Sequence, residues 1–237
     1  ANTEAWSAGK ICNTTCNGYS PYCGDGNIDE DASEECDDGQ LGDNLNGCSE
    51  ACQRYGINEI GDLTWMKCRQ GNNYLAESDT CSGPTTTFQY CEQDDNSCNG
   101  GVIGWFLDGN GSSDAWDTCH SLAYAGYTDW RVPTKEELMS LVLCNDGPLG
   151  YPDRPYCGTG NFTSPTIDTE LFPDFPITWF WTSDSHGTNS SNAWYVTFDN
   201  ALGEPLDDGG LADTRLAYQH RVVLRATTQH PDHPTDL

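Results

Sequence analysis

The sequence predicts an α+β fold held together by disulfides, with a small Cys-rich module ahead of one larger domain. Three observations support this class: thirteen cysteines in 237 residues, two amphipathic helix patterns in the middle of the chain, and alternating apolar positions further along it. Hydrophobic residues make up only 36% of the chain and the mean hydropathy is -0.63. Because a chain with so few hydrophobic residues buries only a small apolar core, we expect disulfides to contribute to the stability of the fold.

Two helices are expected. The first begins at Ser112 or Ser113 as its N-cap and runs to Gly126, and the second begins with a capping box formed by Thr134 and Glu137. The apolar face of the first helix contains Ala115, Trp116, Cys119, Leu122 and Ala123, and that of the second contains Leu138, Leu141 and Val142. Three- and four-residue spacing of apolar positions is typical of a helix packed on a core.

Period-two patterns after these helices predict antiparallel strands. Trp179 and Trp181 alternate with Thr178, Phe180 and Thr182, and Trp194, Val196 and Phe198 alternate with Tyr195 and Thr197. A last strand over about residues 218–226 closes the sheet through Val222, Val223 and Leu224. Helices first and strands later, without alternation, favours α+β over a parallel α/β fold.

The cysteines predict disulfides made outside the cytosol, because no zinc-finger pattern accompanies them and cytosolic thiols stay reduced. Spacing predicts three short loops, closed by Cys68–Cys81, Cys91–Cys98 and Cys144–Cys157. The other paired cysteines are Cys12, Cys16, Cys23, Cys36, Cys48 and Cys52, whose connectivity stays open. Cys119 is left as an unpaired, buried and inert thiol, with an intermolecular disulfide as the alternative.

A formal net charge of -27, from 37 acids against 10 bases, disfavours nucleic acid and anionic lipid as partners. No apolar run is long enough to span a bilayer, and any signal peptide is expected to have been removed. We therefore expect a secreted protein, outside the cell or at its surface. Ca²⁺ is the expected counter-ion.

Four segments are expected along the chain. Residues 1–22 form an extended N-terminal arm, residues 23–56 a Cys-rich calcium-binding module, residues 57–228 the main domain and residues 229–237 a flexible tail. In the module, short oxygen ligands on glycine-rich turns suit calcium. The predicted calcium ligands are Asp25, Asn27, Asp29, Glu35, Asp37, Asp38 and Asp43. The alternative is that these residues only form solvated turns.

Modification and catalysis give weaker signals. N-x-[ST] sequons for glycosylation occur at Asn13, Asn110, Asn161 and Asn189, although so polar a sequence also produces them by chance. Cys119 and His120 are adjacent on a helix and point apart, and residues 183–186 contain the letters of a triad in an expected polar loop. His230 and His233 lie in the tail. We therefore expect no enzyme activity.

The segment from Cys23 to Cys52 resembles a bacterial Cys-rich extracellular repeat of the pattern CGDG…EECDDG…GC…C. A longer stretch, about residues 60–226, resembles the Lcl C-terminal domain, a family named from a bacterial collagen-like adhesin. The resemblance rests on the run from Gly126 to Leu138, with the pattern G-Y-x-D-W-R-x-P-T-x-x-E-L, and on the Trp-rich strands. It implies a compact α+β domain, distantly similar to C-type lectins, in secreted and surface proteins.

Within that run we expect structural roles. Trp130 and Trp181 are predicted to be core anchors, and Arg131 to fix the loop between the helices through carbonyls or a carboxylate. For function, the sequence favours a self-assembling subunit of a surface fibre or layer, with contacts through the N-terminal arm. The alternative is an adhesin or glycan-binding module that uses exposed aromatics such as Trp179, Trp105 or Tyr151. A secreted hydrolase is the remote alternative.

Overall fold

A computed structural model describes the chain over a set of separate ranges. These are residues 23–40, 45–84, 88, 90, 113–153, 157–158, 160–185, 192–199, 211–213 and 225–227. Residues 1–22 and 229–237, the predicted arm and tail, lie outside these ranges, as do Cys91, Cys98 and Trp105.

The described elements are short. The strands are β1 Ile57–Ile60, β2 Leu63–Met66, β3 Asn73–Leu75, β4 Thr80–Ser82, β5 Leu143–Cys144, β6 Gly147–Pro148, β7 Trp179–Ser185, β8 Asn192–Thr197, β9 Leu211–Asp213 and β10 Arg225–Thr227. The helices are α1 Asp114–His120, α2 Lys135–Ser140 and a 3₁₀ turn at Glu30–Ala32. Every pairing among the described strands is antiparallel, so the class is α+β.

The chain divides into two compact units. The Cys-rich unit consists of Ala1–Tyr55 together with Tyr124–Gly126, and the main unit consists of Gly56–Ala123 together with Tyr127–Leu237. The chain therefore leaves the main unit for three residues and returns to it.

The Cys-rich unit is organised around sulfur. Disulfides join Cys23 to Cys52 and Cys36 to Cys48, and the buried cluster of this unit consists of Cys36, Cys48 and Cys52 with Cys23 packed against it. These pairings settle part of the connectivity that the sequence left open. No large apolar side chain belongs to the cluster, so cross-links and hydrogen bonds carry the described part of this unit.

The tripeptide Tyr124–Gly126 is built into the Cys-rich unit. Ala125 donates its backbone N–H to the Asn46 carbonyl at 2.7 Å, and Arg54 Nε donates to the Ala125 carbonyl at 3.0 Å. A Cβ added at Gly47 would lie 2.7 Å from the Tyr124 ring, and Gly47 has a φ of +83°. Only glycine allows this close approach in that backbone conformation.

The described residues of the main unit form two three-stranded sheets and two hairpins. One sheet has the order β1-β2-β10 and the other has the order β7-β8-β9, while β3 pairs with β4 and β5 with β6. In the first sheet Trp65 of β2 lies opposite Asn58 on one side and Arg225 on the other. Segments far apart in sequence thus meet on β2.

The core of the main unit lies around α2 and β7–β8. It combines aromatic rings with aliphatic side chains and one disulfide, and nearly all of it is excluded from solvent. Its members are Trp65, Leu138, Met139, Leu141, Val142, Cys144, Leu149, Cys157, Ile167, Phe172, Phe175, Phe180, Val196 and Phe198. Rings of Phe175 and Phe180 stack with centroids 4.7 Å apart.

The predicted starts of both helices are confirmed, and the predicted end of the first helix is wrong. Ser113 caps α1 by accepting from Trp116 N, and Thr134 with Glu137 forms the predicted capping box of α2. However, α1 ends at His120 rather than Gly126, because Ser121 caps it and its hydroxyl donates to the Asp117 carbonyl at 2.7 Å. Ala125 and Gly126 have left-handed φ values of 53° and 79°, which no α-helix contains.

The predicted order of helices before strands is also wrong. Four strands, β1 to β4, precede α1, and β10 returns to pair with β2. The polar residues Ser183 to Ser185, expected in a loop, extend β7 instead. Of the last predicted strand, Arg225 and Ala226 lie in β10, and Val222, Val223 and Leu224 lie outside the described residues.

Candidate functional site

Trp179 and Tyr195 form a stacked aromatic pair in the main unit, and Trp179 is its exposed member. Their rings stack with centroids 5.0 Å apart and an interplanar angle of 25°, and Trp179 is 45% exposed. Burial raises the pKa of the Tyr195 phenol, so its hydroxyl stays protonated at neutral pH. We call these two side chains the aromatic platform.

Strand register explains why this pair is on the surface. Trp181 lies directly opposite Tyr195, so Trp179, two residues earlier, is a diagonal neighbour of Tyr195 on the same sheet face. Trp181 is fully buried on that face: its Nε1 donates to the Phe88 carbonyl at 3.0 Å, and the Tyr90 ring lies 5.1 Å away. Phe88 and Tyr90 cover Trp181 and leave Trp179 exposed.

The opposite face of the same strands belongs to the core. Phe180 and Val196 are paired across β7 and β8, and both pack in one cluster with Leu138 and Met139 of α2. At the edge of this face, Lys135 Nζ lies 4.2 Å from the ring centroid of Trp194, within cation–π distance. The sheet therefore separates a helix-covered face from a face that carries the platform.

In the run Gly126 to Leu138, several side chains have structural roles. Trp130 is 2% exposed, as predicted for a core anchor. Arg131 donates one guanidinium N–H to the Val132 carbonyl at 3.1 Å and another to Glu137 Oε1 at 2.7 Å. Glu137 also accepts from the Thr134 backbone N–H at 2.8 Å. Arg131 thus fixes the loop through both a carbonyl and a carboxylate, which confirms its predicted role.

In the Cys-rich unit, Asp37 is the centre of the acidic turns. Its Oδ2 accepts from the backbone N–H groups of Gly24 and Asp25, and its Oδ1 accepts from those of Gly26 and Gly39. Four donors occupy the lone pairs that a carboxylate offers. Calcium at Asp37 would have to replace some of these donors, so its place among the calcium ligands stays a prediction.

The other predicted ligands are distributed over neighbouring turns. Asp25 accepts from the Asn27 backbone and side chain, Asp38 from Gln40 N and Asn46 Nδ2, and Glu35 from Arg54 N. Asp29 is partly buried, and Asp43 lies outside the described residues. Hydrogen-bonded turns account for these contacts, and calcium binding by this set stays a prediction.

Glu34, Asp37 and Cys52 place potential ligand atoms within 4.8 Å of one another. Cys52 is in a disulfide, so its sulfur is not a thiolate, and Asp37 is saturated by N–H donors. Glu34 in turn accepts from the Asp29 backbone N–H at 2.9 Å. Hydrogen bonds and the disulfide thus account for the position of these three groups, and the disulfide sulfur is a poor metal ligand.

The candidate catalytic groups are held apart or enclosed. Cys119 is buried and free, as predicted, and burial raises the pKa of its thiol. His120 instead stacks on Trp116 at 4.1 Å. Burial also raises the pKa of the Asp184 carboxyl, an effect opposed by the hydrogen bond from Lys135 N at 2.7 Å. Ser183 is buried, while His186, His230 and His233 lie outside the described residues.

Of the predicted loop disulfides, Cys68–Cys81 and Cys144–Cys157 are confirmed, while Cys91–Cys98, Cys12 and Cys16 lie outside the described residues. Among the sequons, Asn161 is described and half-buried, and its Nδ2 donates to the Cys157 carbonyl at 3.2 Å. The sequons at Asn13, Asn110 and Asn189 are outside the described ranges. Glycosylation stays a prediction.

Comparison with protein families identifies the larger part of the chain. A family model, the Lcl C-terminal domain, matches residues 58–216, more than half of the sequence. The chain belongs to the Lcl C-terminal domain family. No curated protein and no solved structure matches it.

The Lcl C-terminal domain match begins within β1 and includes the aromatic platform, the Arg131 loop and the core around α2. The Cys-rich turns around Asp37 precede the matched residues. Several disulfides and this family together indicate an extracellular protein. In the described part of the chain, no helix has the length and apolar character needed to cross a membrane.

Proposed function

We propose that this chain is a secreted, non-catalytic binding protein whose aromatic platform stacks against a sugar ring, as an adhesin or glycan-binding module does. One observation carries the proposal: Trp179 lies exposed and pre-stacked on Tyr195 at 5.0 Å. A distant similarity of the main unit to C-type lectins is part of the same proposal.

The physical argument concerns the cost of exposing these rings. A Trp side chain at 45% exposure keeps a large apolar surface in water, and covering apolar surface stabilises a complex by about 25 cal/mol per Å². Stacking on Tyr195 limits the motion of the indole before binding, which lowers the entropy lost with the ligand. The C–H face of a pyranose is a flat apolar partner for such a ring.

The binding proposal is tested with Trp179→Ala. We expect the variant to lose binding to the array glycans that the unaltered protein binds. Its melting temperature should be unchanged, because the exposed indole adds little to the core. Trp179→Phe is the matched control and should keep part of the binding. Equal binding by the alanine variant, or an array on which the unaltered protein binds nothing, would contradict the proposal.

Self-assembly into a surface fibre or layer is the second candidate. Exposed apolar side chains on the Cys-rich unit favour it, since Ile28 is 47% exposed there. In this proposal the N-terminal arm contacts the next copy, and calcium reduces the repulsion between chains that each carry a charge of -27.

Electron microscopy of the purified protein tests assembly. Filaments or layers in calcium that disperse in EDTA are the expected result. Ile28→Ser should weaken assembly, whereas the control Leu75→Ser, at an exposed position of the main unit, should not. Monodisperse particles at every protein concentration, with calcium and without it, would remove the fibre proposal and leave the binding proposal intact.

A further inference from the structure

We infer that the aromatic platform selects cationic sugar chains, namely polymers of amino sugars whose amines are protonated, over neutral and sulfated glycans. This inference rests on the proposed glycan-binding function. The charge of the chain around the strands that carry the platform indicates the ligand class.

The sequence around the platform has no positive residue over a long stretch. Residues 155–214 contain no Lys or Arg and nine Asp or Glu. Among the described acids of this stretch, Glu170, Asp174 and Asp199 are exposed. Strands β7 and β8 therefore lie in a part of the chain whose field repels anions, and the total charge of -27 acts in the same direction.

Lys135, a described base that contacts β8, lies on the other side of the sheet. Lys135 begins α2, and its Nζ lies over the Trp194 ring at 4.2 Å. Trp194 alternates with Tyr195 along β8, so the two side chains point to opposite faces. Lys135 is thus positioned against the helix-covered face and not against the platform.

A protonated amino sugar satisfies both features of this surface. Its pyranose face covers the Trp179 ring, and its ammonium group is attracted by the ring and by the net negative charge of this part of the chain. A sulfated or carboxylated sugar would gain the same stacking contact but would enter a negative field. A neutral sugar would gain stacking alone, so we expect the order cationic, neutral, sulfated.

The test is a calorimetric titration of the full chain with three probes: a short oligomer of glucosamine, its fully N-acetylated form and a sulfated oligosaccharide of similar length. We expect the glucosamine oligomer to bind about tenfold more tightly than the N-acetylated one, an amount within the range of cation–π and charge effects. Its affinity should fall as salt is added, and the sulfated probe should show no binding heat.

Variants separate the platform from general charge attraction. Trp179→Ala should abolish glucosamine binding, and Trp179→Phe should retain part of it. An oligolysine of matched charge should bind both the unaltered protein and Trp179→Ala equally weakly. If Trp179→Ala binds glucosamine as well as the unaltered protein, attraction by the whole chain replaces the platform and the inference is overturned.

The outcomes for the two proposals differ. Equal affinity for the glucosamine and N-acetylated oligomers, with both lost in Trp179→Ala, overturns the charge selectivity and keeps glycan binding. Tighter binding of the sulfated probe also overturns it. Absence of binding to all three probes and to a glycan array overturns both.

Discussion

The two units of this chain stabilise their folds by different means. In the Cys-rich unit the described buried cluster consists of half-cystines, and the central polar group is a carboxylate that accepts four backbone N–H bonds. In the main unit the cluster is a set of aromatic and aliphatic side chains around α2, β7 and β8, with one disulfide among them.

This difference has an energetic consequence for each unit. Burying apolar surface stabilises the main unit in proportion to the area covered, so its disulfides supplement a core that already exists. The Cys-rich unit has little such area, and its cross-links chiefly reduce the entropy of the unfolded chain. Removing one group of each kind should therefore have different effects on the two units.

The largest effect is expected from Phe180→Ala. Phe180 is fully buried and contacts Phe175 and Phe198, so its loss leaves a cavity that costs the main unit about 3–5 kcal/mol. Hydrogen exchange should show weakened protection in β7 and β8 and unchanged protection around Asp37. Phe180→Leu is the matched control, and an equal loss with leucine would argue against the cavity as the cause.

A smaller loss, about 3 kcal/mol, is expected when Cys36 and Cys48 are both replaced by Ser. The Cys-rich unit should then become sensitive to limited proteolysis, because no apolar cluster takes over. The control is the double replacement of Cys144 and Cys157, whose sequence separation of 13 nearly equals the 12 of Cys36–Cys48. A main unit that also becomes protease-sensitive would contradict the comparison.

The smallest effect is expected from Asp37→Asn. The new amide group presents N–H donors where two backbone N–H groups need an acceptor, which should cost about 2 kcal/mol. Urea denaturation monitored in the Cys-rich unit measures this loss, with the exposed Asp31→Asn as control. Repeating the titration in calcium and in EDTA tests the calcium prediction, since stability unchanged by EDTA would remove it.

Local signals in the sequence were sufficient for the helix starts and for one loop. Ser113 and the Thr134–Glu137 box act within a single turn, so their partners lie a few residues away. Arg131 likewise bonds to Val132 and Glu137, both close in sequence. The short loops closed by Cys68–Cys81 and Cys144–Cys157 were predictable for the same reason.

Pairing between distant segments was not predictable. The polar end of β7 is a strand because it pairs with β8. Serine at positions 183 and 185 does not indicate a strand by its residue type. The same holds for the candidate site. Trp179 was named from the sequence, but Tyr195 was missed because its place beside Trp179 depends on the register of two strands. The alternation of Trp194 with Tyr195 predicted that their side chains lie on opposite faces of the strand, but not that Tyr195 contacts Trp179.

The burial of Cys119 affects how reliably the chain can oxidise. Thiol–disulfide exchange requires a thiolate that can reach a neighbouring sulfur–sulfur bond. Cys119 is 2% exposed and burial raises the pKa of its thiol, so this free sulfur cannot attack bridges that have already formed. Once the helix that carries Cys119 has folded, this thiol can no longer exchange with the native disulfides.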